Sequence, residues 1–472
     1  MKYLLIIVPL LVLVLCQDVA AQGKKRPNIV LIIADDLGYA DLSCYGQQRF
    51  TTPNLDKMAL DGKRFTQFYS GSTVCAPARA SLMTGLHTGH SPIRGNRAME
   101  PEGQYPLPES TETIASLLQL SGYNTGAFGK WGLGPPESTG EPTKKGFDKF
   151  YGYICQSLAH NYYPAYVWNN RQKEIFPGNE AKHTIYSADT IHNEAIQFLE
   201  RQTADKPFFL FLPYTIPHGD VMVPHDAVYE SFKKRFNEEP EPRPASKLAT
   251  REHESYPHAG FAAMVTRLDK YVGEVLALLK KKGLSENTLV LFTSDNGPHR
   301  ENGGDPEYFD NNGIYRGIKR DLYEGGIRVP FIAYWPGKIK GGTLNNDPLA
   351  LWDLYPTFQK LADIPLSKKI DGISIVPALT GKNQPLHKYL YWEFHEQGGK
   401  QAVRLGPWKG VRLNISTLGD GPIELYNIDD DPSELKNVAA DHPEMIRKLD
   451  RIMKEAHVPD VNWPVLVNEK MR

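Results

Sequence analysis

Asn28-Ile29-Val30-Leu31-Ile32-Ile33-Ala34-Asp35-Asp36-Leu37-Gly38 is the stretch from which the fold is read. From Ile29 to Ala34 the chain is apolar without alternation, and four of those residues are β-branched. A strand with one wet face alternates; a continuous run belongs to a parallel strand buried on both faces by helices. Pro27 precedes the run, and two carboxylates and a Gly38 turn end it. In open α/β sheets ligands meet the carboxyl ends of strands, so Asp35 and Asp36 stand where chemistry is expected.

Working outward, residues 207–212 and 289–292 read the same way, and 331–335 resembles them. Helical patterns lie between them at 113–120, 188–198, 261–279 and 351–361. This alternation predicts an α/β fold: a large, mainly parallel sheet flanked by helices on both faces. Near Leu386 the texture changes. Short strand candidates at 389–394, 402–405, 408–413 and 424–426, then a helical pattern at 443–456, predict a smaller antiparallel sheet with a helix. The expected organisation is a catalytic domain over 22–384 and a C-terminal subdomain over 385–472. Residues 238–258, rich in Pro, Glu and His, read either as a surface insertion near a site mouth or as a solvated loop.

Composition narrows the function classes. With 41% hydrophobic and 23% charged residues in 472, the chain is neither disordered, collagen-like nor a polytopic membrane protein. Lys+Arg of 54 against Asp+Glu of 55 leaves no basic excess, so nucleic acid is not an expected partner. Lys2 and the apolar residues 4–15, too short for an integral membrane span, precede the small residues Val19-Ala20-Ala21. This predicts a signal peptide over 1–21 and export to the periplasm or extracellular space. Lipid attachment at Cys16 is the alternative, opposed by the bulky Leu15. Beyond Cys16 three cysteines remain, Cys44, Cys75 and Cys155, an odd count that leaves a free thiol or marks one cysteine as special.

Two strand ends carry oxygen donors: Asp35-Asp36 and Asp295-Asn296-Gly297. Adjacent buried acids repel unless a cation neutralises them, and an all-oxygen set suits a hard divalent ion rather than zinc. An Asp-Asp pair alone also serves as a cap or turn. In Cys75-Ala76-Pro77-Ala78-Arg79, Pro77 sits in the first turn of an expected helix, placing Cys75 at its N-terminus and Arg79 one turn on. Such a thiol reads as a low-pKa nucleophile or as a buried, inert cysteine.

Cys75-x-Pro77-x-Arg79 followed by Leu82-Met83-Thr84-Gly85 resembles the maturation signature of the type I, formylglycine-dependent sulfatases, arylsulfatase-like members of the alkaline phosphatase superfamily. Residues 28–38, 52–56, Gly129-Lys130-Trp131-Gly132-Leu133-Gly134, Pro217-His218, 294–297, 323–330 and 424–432 extend the resemblance along nearly the whole chain in order. It implies that a formylglycine-generating or equivalent maturation enzyme converts Cys75 to formylglycine. It implies Ca²⁺ held by Asp35, Asp36, Asp295, Asn296 and the modified Cys75. Arg79 would hold the formylglycine, Lys130 and Lys319 the sulfate oxygens, and His218 or Lys319 would protonate the leaving oxygen. One hydroxyl of the hydrated aldehyde attacks sulfur, giving a formylglycine-sulfate intermediate, and the other drives release of sulfate. The implied substrate is a sulfated carbohydrate.

The chain departs from the family at Gly132, where a histidine is usual. His160 is the expected substitute, with His299 next. His160, His299, Arg300 and Tyr162 are the candidates for substrate contact, and the tyrosines and Trp168 over 151–168 read as a sugar platform or as core. His87-x-x-His90 reads as a wall or backbone brace more readily than as a metal pair. Cys44 and Cys155 leave a pairing open. The rival readings are a phosphomonoester or phosphodiester hydrolase of the same superfamily, a catalytically silent glycan-binding relative, and a thiol enzyme using unmodified Cys75.

Overall fold

The computed structural model describes residues 25–241, 254–301, 304–467 and 469; the expected signal peptide, Cys16 and most of the Pro/Glu-rich segment lie outside the described residues. The strands are β1 (Asn28–Ala34), β2 (Lys63–Phe65), β3 (Phe68–Tyr69), β4 (Asn124–Lys130), β5 (Lys149–Tyr153), β6 (Tyr166–Asn169), β7 (Gln172–Ile175) and β8 (Phe208–Pro213). They continue with β9 (Thr288–Ser294), β10 (Phe331–Tyr334), β11 (Thr343–Asn345), β12 (Leu349–Ala350), β13 (Leu390–Phe394), β14 (Lys400–Leu405), β15 (Trp408–Leu413) and β16 (Ile423–Asn427). Ten strands form one sheet in the order β11-β2-β10-β9-β1-β8-β4-β5-β6-β7.

The period of two in β1 explains how one strand serves two layers. Val30, Ile32 and Ala34 enter a core with the helices Pro53–Asp61, Ser187–Glu200 and Pro257–Lys281. Ile29, Leu31 and Ile33 enter the core on the other face, with the helices Cys75–Thr84, Ile114–Leu120 and Leu354–Leu361. Every residue of β1, β8 and β9 is buried, as their unbroken apolar runs require.

The sheet is mainly parallel, as expected, through its centre and again where β11 pairs with β2, with antiparallel pairs elsewhere. β9, β1, β8, β4 and β5 are parallel neighbours. β10 runs antiparallel to both β9 and β2, and β5, β6 and β7 are antiparallel. An apolar run reports burial on both faces, not direction, so 331–335 was indistinguishable from a parallel strand. β4 and β5 escape a pattern reading because glycine interrupts them. Those glycines are required by close approach: a Cβ on Gly129 would lie 2.0 Å from the Pro213 carbonyl oxygen, and one on Gly152 2.1 Å from that of Gly129.

β13 to β16 form the expected small antiparallel sheet, with the helix Pro443–Ala456 packed on it through Leu449, Ile452 and Met453. Among the described residues Cys44, Cys75 and Cys155 are all free thiols, so Cys44 and Cys155 do not pair.

Candidate active site

Register brings four strand ends to one place. Ala34 pairs with Ser294 and Ile33 with Pro213, so β1, β9 and β8 stop at the same level, beside the end of β4 at Lys130. The Asp295 N–H donates to the Ala34 carbonyl at 3.1 Å, and the Ser294 hydroxyl accepts from Leu37 N–H at 3.0 Å while donating to the Asn296 carbonyl at 2.9 Å. Asp35, Asp36, Asp295 and Asn296 are completely buried. Asp36 holds a left-handed φ of 63°, a conformation costly for most residues and tolerated by Asp and Asn. Its N–H donates to Asp295 Oδ1 at 3.1 Å, which fixes the turn.

Cys75 opens the helix Cys75–Thr84, all ten residues of which are buried. Val74 in extended conformation precedes it without a side-chain cap; instead Asn96 Oδ1 accepts from Ala76 N–H at 3.1 Å. Gly85, at φ 71°, ends it. The Cys75 thiol meets Asp35 Oδ1 and Lys130 Nζ, both at 3.4 Å. Burial and the Asp35 charge push this thiol well above its ordinary pKa. Arg79 reaches Asp295 through Nε at 3.1 Å and Nη2 at 2.8 Å, approaches Asp35 at 3.4 Å, and gives Nη1 to the Lys130 carbonyl.

Lys130 Nζ lies 2.7 Å from Asp35 Oδ2, and Lys319 Nζ 2.8 Å from Asp36 Oδ2. Burial acts to raise the Asp36 pKa, but Lys319, His299 and Lys130 together outweigh it and hold the carboxyl well below its usual range. Burial and the Asp35 charge instead lift Asp295 to about 7. Glu301 holds Arg320 at 2.7 Å and approaches Lys319 at 3.5 Å. The lysine loop is also pinned by backbone bonds from Lys319 N–H to Pro298 and from Arg320 N–H to Thr73.

The donor set fits a hard cation. Asp35, Asp36, Cys75 and His218 each offer an atom within 4.8 Å of the others. Asn296 gives Nδ2 to Asp36 Oδ1 at 2.6 Å and to the Gly297 carbonyl at 2.9 Å, and leaves Oδ1 buried without a hydrogen-bond partner. A buried acceptor without a donor is costly, and a cation beside it removes that cost.

The structure gathers most of the expected residues and reassigns some. His218 Nε2 lies 3.3 Å from both Asp36 Oδ2 and Lys319 Nζ; burial and the two lysines hold its pKa well below 6.5. His160 stands edge-on against His218 with ring centroids 4.4 Å apart. His299 is buried beside His218, but Nδ1 accepts from Glu301 N–H at 2.9 Å and Nε2 faces the Pro217 carbonyl at 3.4 Å, so it braces the loop and has no nitrogen left for substrate. Tyr162 is corrected likewise: it is completely buried, and its hydroxyl lies against the Thr215 and His218 carbonyls. Arg300 has an exposed side chain that pairs with Glu307. His87 Nδ1 accepts from Gly89 N–H at 3.2 Å, which puts the proton on Nε2, the nitrogen facing Asp371, and removes the lone pair a metal would need.

Two features escaped the sequence. Asn96, the cap acceptor, lies in a loop without a pattern. Gln156 occupies the space beside Gly132: a Cβ at Gly132 would lie 3.0 Å from Gln156 Nε2, a buried amide nitrogen with no hydrogen-bond partner.

Comparison with known proteins gives the family. The family described as Sulfatase matches residues 27–364, and one described as N-sulphoglucosamine sulphohydrolase, C-terminal, matches 312–458. Human arylsulfatase A is 32% identical, over 91% of this chain and 87% of its own length. Human N-acetylgalactosamine-6-sulfatase is 33% identical, over 95% and 90%. The crystal structure of Ps i-CgsB in complex with k-i-k-neocarrahexaose is 28% identical with a TM-score of 0.77, over 94% of this chain and 96% of that one. The family model covers more than half of the chain and the relatives match it nearly end to end: the chain belongs to the sulfatase family of the alkaline phosphatase superfamily.

Proposed function

We propose that this chain is an exported, Ca²⁺-dependent sulfatase that removes sulfate from carbohydrates after Cys75 has been oxidised to formylglycine by a maturation enzyme. The observation that carries the reading is the setting of Cys75. The side chain is 2% exposed and touches both Asp35 and Lys130, and its thiol holds its proton, which disfavours a thiolate nucleophile. The same position suits a group that needs cations around it rather than a low thiol pKa.

Asp35, Asp36, Asp295 and Asn296 would hold Ca²⁺, which supplies positive charge to a sulfate oxygen. A hydrated formylglycine at position 75 would supply two hydroxyls on one carbon, one as the nucleophile toward sulfur as the sugar oxygen leaves, the other to release sulfate as the aldehyde re-forms. The chain's own groups do the rest. Lys130 and Lys319, freed in part from Asp35 and Asp36, neutralise the remaining sulfate oxygens. Arg79 fixes Asp295 and the carbonyl end of β4, and so the position of Lys130. His218 is neutral and faces the Lys319 ammonium, so the proton for the leaving sugar oxygen resides on Lys319, with His218 relaying or orienting it. His160 packs against that imidazole and is assigned to contact with substrate.

The carbohydrate class rests on relatives named N-acetylgalactosamine-6-sulfatase and on a neighbour solved in complex with k-i-k-neocarrahexaose. A galactose or N-acetylgalactosamine sulfate is therefore the first substrate to try. Gly132 favours one second reading, a silent glycan-binding relative. The test is a screen of position-defined sulfated monosaccharides and disaccharides, paired with intact-mass analysis of the Cys75 peptide. Sulfate release that Cys75→Ala abolishes supports the proposal. Binding without turnover in protein shown to carry formylglycine supports the silent relative, and an unconverted thiol in active enzyme refutes both.

A further inference from the structure

We infer that Glu301 is a positioning residue: it takes over the Lys319 ammonium when Asp36 turns to Ca²⁺, and so keeps that ammonium beside His218. The inference rests on the Ca²⁺ reading above and adds how the site releases a lysine from one of its own metal ligands.

The need arises at Asp36. Its Oδ2 lies 2.8 Å from Lys319 Nζ and its Oδ1 accepts from Asn296 Nδ2 at 2.6 Å, so both oxygens are engaged before a metal arrives. An ammonium and a divalent cation drawn to one carboxylate repel each other, and at a completely buried group little water screens them. Lys319 is itself buried, and a buried charge moved off its partner is costly unless another receives it.

Glu301 is placed to receive it. Its carboxylate spans two cations, with Oε1 2.7 Å from Arg320 Nη1 and Oε2 3.5 Å from Lys319 Nζ. Lys319 thus stands between two carboxylates, close to the one in the metal set and loosely paired with the one outside it. Among the described residues Lys130 has no such second partner, its ion pair being with Asp35. His218 Nε2, 3.3 Å from Lys319 Nζ, lies beside the same ammonium.

The backbone on both sides of this bridge is fixed. Glu301 N–H donates to His299 Nδ1 at 2.9 Å, and the Glu301 carbonyl oxygen fills the space beside Gly219, 2.6 Å from where a Cβ would lie. Arg320 holds a left-handed φ of 78°, a conformation costly for a residue with a side chain and kept only where its surroundings enforce it. Here its N–H donates to the Thr73 carbonyl at 3.1 Å, and its own carbonyl accepts from Lys400 Nζ at 2.6 Å. The carboxylate and Arg320 therefore keep their places, and the long Lys319 side chain is the part that shifts.

The experiment is a double-mutant cycle read as Ca²⁺ affinity, by calorimetric titration of calcium chloride into the chelator-treated mature chain. Glu301→Gln is expected to weaken Ca²⁺ binding about tenfold, because the ammonium then stays on Asp36. Lys319→Met is expected to tighten it, and adding Glu301→Gln to Lys319→Met to change it by less than about twofold. The Glu301 side chain is 29% exposed, so its replacement leaves no gap in the core. Lys319→Gln closes the same cycle where the methionine variant does not fold. An unchanged affinity in Glu301→Gln, or a Lys319 variant that does not bind more tightly, overturns the inference. So does an equal loss in both backgrounds, which is the field of a carboxylate acting without Lys319. Each of these results leaves the Ca²⁺ reading standing, whereas a wild type that takes up no Ca²⁺ overturns both.

Discussion

Lys409→Met tests whether the small sheet is held to the catalytic loop by charge. Lys409 on β15 is completely buried, with Nζ 2.9 Å from Glu324 and 3.0 Å from Glu434. Glu324 also accepts from the Tyr69 hydroxyl at 2.7 Å and pairs with Arg328 at 3.1 Å; Glu434 accepts from Glu324 N–H at 2.6 Å. Glu324 therefore keeps a cation when Lys409 goes, and Glu434 is left with none. Burial and the neighbouring Glu324 charge already raise the Glu434 pKa to about 7 in the native chain. A carboxyl whose folded pKa exceeds its unfolded value contributes stability that falls as pH rises through that interval. Without the ammonium the folded pKa rises further, so the variant is penalised most where Glu434 must ionise. Near pH 8 the loss is expected to match a broken buried pair, about 3–5 kcal/mol. Near pH 5, where the folded carboxyl is protonated, it should shrink to the hydrogen bonds lost, about 1.5–3 kcal/mol. Urea midpoints at both pH values, with unchanged slope, measure this, and Glu434→Gln in the same chain should remove most of the pH dependence. A loss below about 1 kcal/mol at the higher pH, or one of equal size at both, would refute the account.

Other consequences are open to measurement. Gly132→His alone should destabilise the fold by about 1–2 kcal/mol, because φ there is 75° and a Cβ meets Gln156; adding Gln156→Ala should recover the steric part, read as a rise in melting temperature. His160→Ala should lower kcat on the best sugar sulfate by about a hundredfold or more, and a near-normal rate would remove His160 from the reaction. Ca²⁺ at about a hundred times its dissociation constant should stabilise the chain by about 2.7 kcal/mol over chelated protein, an effect expected to vanish in Asp36→Asn whatever its activity. His258 works against burial: Glu238 at 2.7 Å and Asp305 at 2.9 Å raise its pKa. The stability this gives should be full below about pH 6.5 and fade as pH climbs through the raised value, a slope that His258→Asn should flatten in melts across that range.

The parts of this molecule legible in its sequence share one property: their meaning is local. An unbroken apolar run declares burial on both faces, so β1, β8 and β9 could be found and carboxylates at their ends suspected. The sequence does not carry pairing between distant segments. Asp36 and Lys319 are 283 residues apart, and only the sheet order and the turn at Pro298 bring the ammonium to 2.8 Å. Tyr162 was misread for the same reason, since its hydroxyl's partners are backbone carbonyls 53 and 56 residues away. Gly132 is the instructive case. In the sequence it is a lost side chain. In the fold β4 and β5 lie side by side with Gly129 opposite Gly152, and Gly132 N–H donates to the Ile154 carbonyl. Residues just beyond Gly152 therefore must pass the vacancy, and Gln156, four positions on, fills it. An amide cannot take a proton as an imidazole does, so the basic role, if the reaction keeps one, has to come from across the site, where His160 and His218 stand ring against ring.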